Sequence, residues 1–75
     1  MFGQESNIEH AIVAHWLRLI RAEYLEAPGL RVTLAEARRF WGLDVGIISR
    51  VFEILVNVGF LKQTQTGVYL RTGGI

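Results

Sequence analysis

Residues 30–71 read LRVTLAEARRFWGLDVGIISRVFEILVNVGFLKQTQTGVYLR, and this stretch decides the fold. Thr33 is a helix-capping residue with Glu36 three positions later, which predicts the start of a short second helix. Gly42 predicts the end of that helix, and Asp44 is placed to cap the next one. The connection is only about three residues long, so the sequence predicts two helices held as a tightly joined pair.

A third helix and a hairpin are expected to follow this corner. The third helix should run from Val45 to about Val58, with Gly59 as its C-terminal stop. Alternating apolar and polar residues predict two strands, Phe60 to Gln63 and Val68 to Arg71, joined by a polar loop. Residues 30–32 are too short to stand alone and are expected to pair with the hairpin as a third strand.

The first helix is predicted from about Asn7 to Glu26. Ser6 is its expected cap with Glu9 at the capping-box spacing, and Ala27-Pro28-Gly29 ends it. Its apolar positions recur at the helical period and cover one broad face. They are Ile12, Val13, Trp16, Leu17, Leu19, Ile20 and Tyr24. The fold class expected is therefore α+β, with three helices and a small antiparallel hairpin sheet in a single domain of residues 1–75.

The bulk composition predicts a small protein of a reducing compartment. With 75 residues and 51% hydrophobic residues, the chain needs either a very well packed core or a partner that covers apolar surface. It has no cysteine, and we find no signal-peptide pattern and no apolar run of membrane-spanning length, so a soluble, cytoplasmic protein is expected. Charge is uneven, since residues 31–75 hold six basic against three acidic side chains. That bias mildly favours a polyanionic partner.

The sequence offers little for catalysis or metal binding. His10 and His15 are five positions apart and point in different directions on a helix, without a carboxylate or thiolate at ligand spacing. Ser49 has no neighbouring base, and no Gly-rich phosphate-binding loop is present. We therefore expect no enzyme, no metal and no cofactor.

These spacings together resemble the winged helix-turn-helix regulators of bacteria, of the broad MarR, ArsR and GntR kind. The resemblance covers about residues 8–71. The residues that carry it are Leu34 to Ala37, Trp41 to Asp44, Val51, Leu55, Val56, Gly59 to Leu61, Gly67, Tyr69 and Arg71. It implies a DNA-binding transcriptional regulator in which the third helix enters the major groove and the hairpin is the wing.

Candidate DNA contacts follow from this resemblance by position. Phosphate contacts would come from Arg38 and Arg39 of the second helix and from Lys62 and Arg71 of the hairpin, and base contacts from Ser49, Arg50 and Asn57 of the third helix. The other candidates are Gly46 and Ile47, which would face the groove, and Gln63, Gln65 and Thr66 on the wing. The chain departs from the pattern at Gly46 and Ile47, since glycine offers no side chain to a base and isoleucine offers only a methyl contact.

That departure leaves three interpretations of the third helix open. Ile48, Val51, Phe52 and Leu55 should form its buried face, and Ile47, Ile54 and Val58 lie on one shoulder. The shoulder is explained by deep packing, by contact with another protein or a second copy, or by a helix that reads bases.

Self-association is a further expectation. The apolar arc of the first helix is too wide for so small a core, so part of it is expected to form a homodimer interface. The residues assigned to it are Trp16, Leu17, Ile20 and Tyr24. The alternative function is accordingly a protein-interaction or dimerisation module that does not bind DNA.

Overall fold

Three helices and one hairpin make up the molecule. The computed structural model describes the backbone of residues 2–73 and the side chains of residues 8–73. The elements in chain order are α1 (Phe2–Glu26), α2 (Leu34–Trp41), α3 (Val45–Asn57), β1 (Leu61–Gln63) and β2 (Tyr69–Arg71). The two strands are antiparallel, with Lys62 opposite Leu70. The α+β layout predicted from the sequence is confirmed and is compatible with a winged helix.

Helix α1 begins earlier than predicted. It starts at Phe2 rather than Asn7, so Ser6 lies inside the helix and does not cap it. The spacing of Ser6 and Glu9 is that of a capping box, but the capping residue itself must have extended, non-helical backbone. The end of α1 at Glu26 is as predicted.

The junctions of α2 and α3 are built as the sequence predicts. Thr33 is extended, and the backbone N–H of Glu36 donates to its hydroxyl at 3.2 Å while the N–H of Thr33 donates to the Glu36 carboxylate at 2.9 Å. Gly42 ends α2 in the left-handed conformation, with φ 65°. Asp44 caps α3 by accepting from the N–H of Gly46 at 2.8 Å. These contacts fix the sharp corner between α2 and α3.

The expected third strand is reduced to one bridge. Val32 pairs with Tyr69 through two backbone hydrogen bonds, of 3.3 and 2.7 Å, and the regular sheet has two strands. Leu30, two residues before Val32, closes the turn after α1, and Thr33, directly after Val32, caps α2. This explains why the pairing does not extend.

Helix α3 supplies the centre of the core. Its buried residues are the four predicted from the sequence: Ile48, Val51, Phe52 and Leu55. Phe52 meets the ring of Tyr69 with ring centroids 4.7 Å apart. The Tyr24 hydroxyl of α1 donates to the carbonyl of Tyr69 at 2.8 Å, which ties the first helix to the hairpin. Within residues 2–73, no helix has the length and apolar character needed to cross a membrane.

Candidate functional site

The exposed side of α3 is a narrow polar strip. Gly46, Arg50, Glu53 and Asn57 are exposed, and Ser49 is half-buried. The strip therefore contains one cation, one anion and one amide with free access to a ligand. Arg50 and Asn57 therefore have the best access to a ligand among the side chains assigned to base contact.

A groove runs between α1 and α3 beside this strip. Its volume is about 440 Å³, and Arg50 lies on its rim together with Glu9 and His10. The apolar lining comes from Val13, Ala14, Leu17, Ile47 and Ile54. The apolar shoulder of the third helix predicted the residues that α3 contributes to this groove. The residues that α1 contributes could not be predicted in this way, because they depend on the angle at which the two helices pack.

The groove divides the shoulder that the sequence treats as one patch. Ile47 and Ile54 are half-buried and pack against the core, while Val58 lies outside the groove and is 69% exposed. Ile47 is thus partly withdrawn from any ligand above the strip. The three residues do not form a single exposed surface.

The end of α2 carries an exposed basic pair. Arg38 and Arg39 line a shallow depression together with Gly42 and Leu43 of the corner. The corner is fixed by the N–H of Gly42, which donates to the carbonyl of Arg38 at 2.7 Å. The two arginine side chains therefore lie beside the α2–α3 junction.

The hairpin presents one cation and a polar loop. Lys62 of β1 is exposed, as are Gln63, Gln65 and Thr66. The loop is fixed from within, since the N–H of Val68 donates to the Thr64 hydroxyl at 3.1 Å.

Arg71 does not lie where a residue of the wing that contacts DNA was expected. It is half-buried, its guanidinium lies 5.0 Å from the ring centroid of Phe60, and its Nε is enclosed without a hydrogen-bond partner. Arg21 of α1, which the sequence did not single out, lies 5.4 Å from the same ring. Arg71 therefore packs on the hairpin base instead of projecting from the wing.

The basic side chains of residues 31–75 outnumber the acidic ones by six to three. Of the three acidic residues, Glu36 and Asp44 are held as helix caps, and only Glu53 is free of such a role. No hydrogen bond of residues 8–73 uses the exposed basic side chains of α2, α3 or β1. These side chains are Arg38, Arg39, Arg50 and Lys62.

Two of the four residues assigned to an interface on α1 lie in the core instead of on the surface. Ile20 and Tyr24 are fully buried in the core of this one chain, so they offer nothing to a second copy. Trp16 and Leu17 are half-buried and pack against that core. The exposed apolar residues of α1 lie elsewhere on the helix and include Ile8, Ile12 and Leu19.

No group of three or more His, Cys, Asp or Glu side chains is placed to hold a metal ion within the described residues. Comparison of the chain with protein-family models, with curated proteins and with solved structures gives no match.

Proposed function

We propose that the chain is a winged helix-turn-helix module that binds duplex DNA, with α3 at the major groove and the β1–β2 hairpin as the wing. The observation that carries the proposal is the α2–α3 corner followed by a hairpin, with unengaged basic side chains on all three elements. Arg38 and Arg39 of α2 and Lys62 of β1 contact phosphates, and Arg50 and Asn57 of α3 reach bases. The module serves as the DNA-binding part of a transcriptional regulator.

The composition of α3 makes this binding mainly electrostatic. Gly46 presents no side chain, and Ile47 is half-buried, so the first turn of α3 offers little hydrogen bonding to base edges. Phosphate contacts give affinity without sequence information. We therefore expect modest affinity, weak sequence preference and a steep dependence on salt.

Fluorescence anisotropy with a labelled duplex of random sequence tests the proposal. At low salt the protein should bind at micromolar concentration, and the Arg38→Ala/Arg39→Ala variant should lower the steepness of log K against log salt by roughly 0.9 for each phosphate that it no longer neutralises. Arg21→Ala/Arg31→Ala is the matched control, since it also removes two exposed cations and neither is among the proposed DNA contacts. Absence of binding at high micromolar protein, or an equal loss in the control, would refute DNA binding.

A second candidate is a protein-contact module without DNA binding, which the apolar groove between α1 and α3 favours. Its lining residues Ile47 and Ile54 stay half-buried instead of fully covered. Under this alternative Ile54→Asp abolishes binding of the partner protein, while Arg38→Ala/Arg39→Ala leaves it intact. Under the DNA proposal, the Arg38→Ala/Arg39→Ala variant loses duplex affinity.

A further inference from the structure

Helix α1 carries a stripe of three apolar residues and one histidine that remains exposed in the described chain. Ile8, Ile12 and Leu19 are 60%, 40% and 42% exposed, and His15 between them is exposed as well. We refer to these four residues as the α1 stripe. Their successive spacings are four, three and four residues, which is the repeat of the a and d positions in a coiled coil.

The stripe faces away from the body of the molecule. At 100° per residue its centre lies roughly 130° around the helix from the centre of the buried residues Val13, Ile20 and Tyr24. Helix α1 is also long, with 25 residues in a molecule whose extents are 45 × 21 × 21 Å. A second helix can therefore lie along the stripe without displacing the contacts that hold α1 to the core.

We propose that the α1 stripe pairs with the same stripe of a second copy of this chain, with the two α1 helices parallel. In this arrangement each residue of the stripe meets its own counterpart across a two-fold axis, as in a parallel two-stranded coiled coil. The two bodies then lie on opposite outer sides of the helix pair. This inference rests on α1 alone and does not require DNA binding.

Charges beside the stripe favour a second copy and a parallel orientation. Arg18 and Glu23 are both exposed, lie on opposite flanks of the stripe and are five residues apart. In a parallel pair this is the spacing at which one helix offers a cation to an anion of the other, and symmetry repeats the contact twice. An antiparallel pair built on the same stripe sets Arg18 opposite Ala11 and leaves both charges without a partner. The flanks are therefore self-complementary in only one of the two orientations.

Disulfide cross-linking tests the proposal, because the chain has no cysteine and an introduced thiol can pair only with its counterpart in a second copy. His15→Cys places one thiol per chain at the centre of the stripe, and mild oxidation should convert most of the protein to a covalent dimer on a non-reducing gel. Glu53→Cys is the control, since Glu53 is exposed on α3, outside the stripe. This variant should give no covalent dimer on the same gel. Equal cross-linking of the two variants would overturn the proposal.

A mixture of Ile12→Cys and His15→Cys proteins tests the orientation. Parallel helices give the two homodimers, because each position faces itself. Preferential formation of the mixed disulfide would show an antiparallel pair and overturn the parallel arrangement.

Equilibrium sedimentation of charge variants tests the flanking contacts. Arg18→Glu and Glu23→Arg should each raise the dimer dissociation constant by about three- to tenfold, as exposed ion pairs contribute modestly and each variant removes two of them. The double variant Arg18→Glu/Glu23→Arg should restore the wild-type value. Failure of the double variant to recover affinity, with circular dichroism showing intact helix, would reject the proposed pairing, as would a wild-type protein that is monomeric at near-millimolar concentration.

Discussion

At the scale of single residues, the hydroxyl of Tyr24 is the contact whose removal is easiest to interpret. It is buried and donates to the carbonyl of Tyr69 at 2.8 Å. Tyr24→Phe keeps the ring and removes this bond, so urea unfolding should show a loss of about 1 kcal/mol. Tyr69→Phe is the matched control, because no hydrogen bond of the described residues uses the Tyr69 hydroxyl, and it should change stability little. Equal losses in both variants would argue that ring packing, and not the bond, is responsible.

The same hydroxyl makes stability depend on alkaline pH. Burial, with a smaller contribution from Tyr69, raises the pKa of Tyr24 well above its usual range. The unfolded chain ionises near the ordinary tyrosine pKa of about 10 while the folded chain stays neutral, so the stability is complete below pH 10 and is lost as the pH rises above it. At pH 11 we expect Tyr24 to account for a loss of about 1.4 kcal/mol relative to pH 9. Tyr24→Phe should lack this part of the decline in urea titrations at the two pH values, and an unchanged decline would assign it to other groups.

At the scale of elements, the corner between α2 and α3 depends on the backbone of Gly42. Its φ of 65° is in the left-handed region, and a Cβ there would meet nothing within 4 Å. Gly42→Ala should therefore cost about 1 kcal/mol through conformational strain without a clash. Asn tolerates this conformation better, so Gly42→Asn should cost less. Gly29→Ala is the control, since its site is equally open and needs no positive φ, and thermal unfolding should show it neutral or slightly stabilising.

The elements most accurately predicted from sequence are those fixed by local chemistry. The capping pair Thr33 and Glu36, the stop at Gly42 and the buried face of α3 depend on contacts within a few residues, which the sequence displays directly. The predicted start of α1 was wrong because the capping pattern of Ser6 and Glu9 is also compatible with the interior of a helix. The length of the third strand was overestimated because Leu30 and Thr33, which flank the bridge at Val32, make other contacts.

The candidate site was less predictable, because it depends on how elements meet. Periodicity shows that α1 has a wide apolar arc, but not which part of the arc touches the body. Ile20 and Tyr24 were assigned to a surface and belong to the core, whereas Ile8 was not singled out and is exposed. Arg71 has the composition of a wing contact, yet tertiary packing places it on Phe60. Such outcomes follow from long-range contacts that no local pattern encodes.

At the scale of the whole molecule, a small core and an uncovered stripe should link stability to concentration. A second copy that binds only the folded chain stabilises it by mass action. Thermal unfolding followed by circular dichroism should therefore give a midpoint that rises by a few degrees between micromolar and near-millimolar protein, since about 1 kcal/mol shifts the midpoint of a domain this small by roughly 4–8 °C.

The Ile12→Asp/Leu19→Asp variant tests whether the α1 stripe causes the concentration dependence of the unfolding midpoint. Both positions are about two-fifths exposed, so the variant should fold, and its midpoint should be the same at all concentrations. A second control is Val58→Asp, which removes an exposed apolar residue outside α1 and should keep the concentration dependence. A wild-type midpoint that does not move, or a variant that keeps the rise, would mean that the α1 stripe does not bring two chains together.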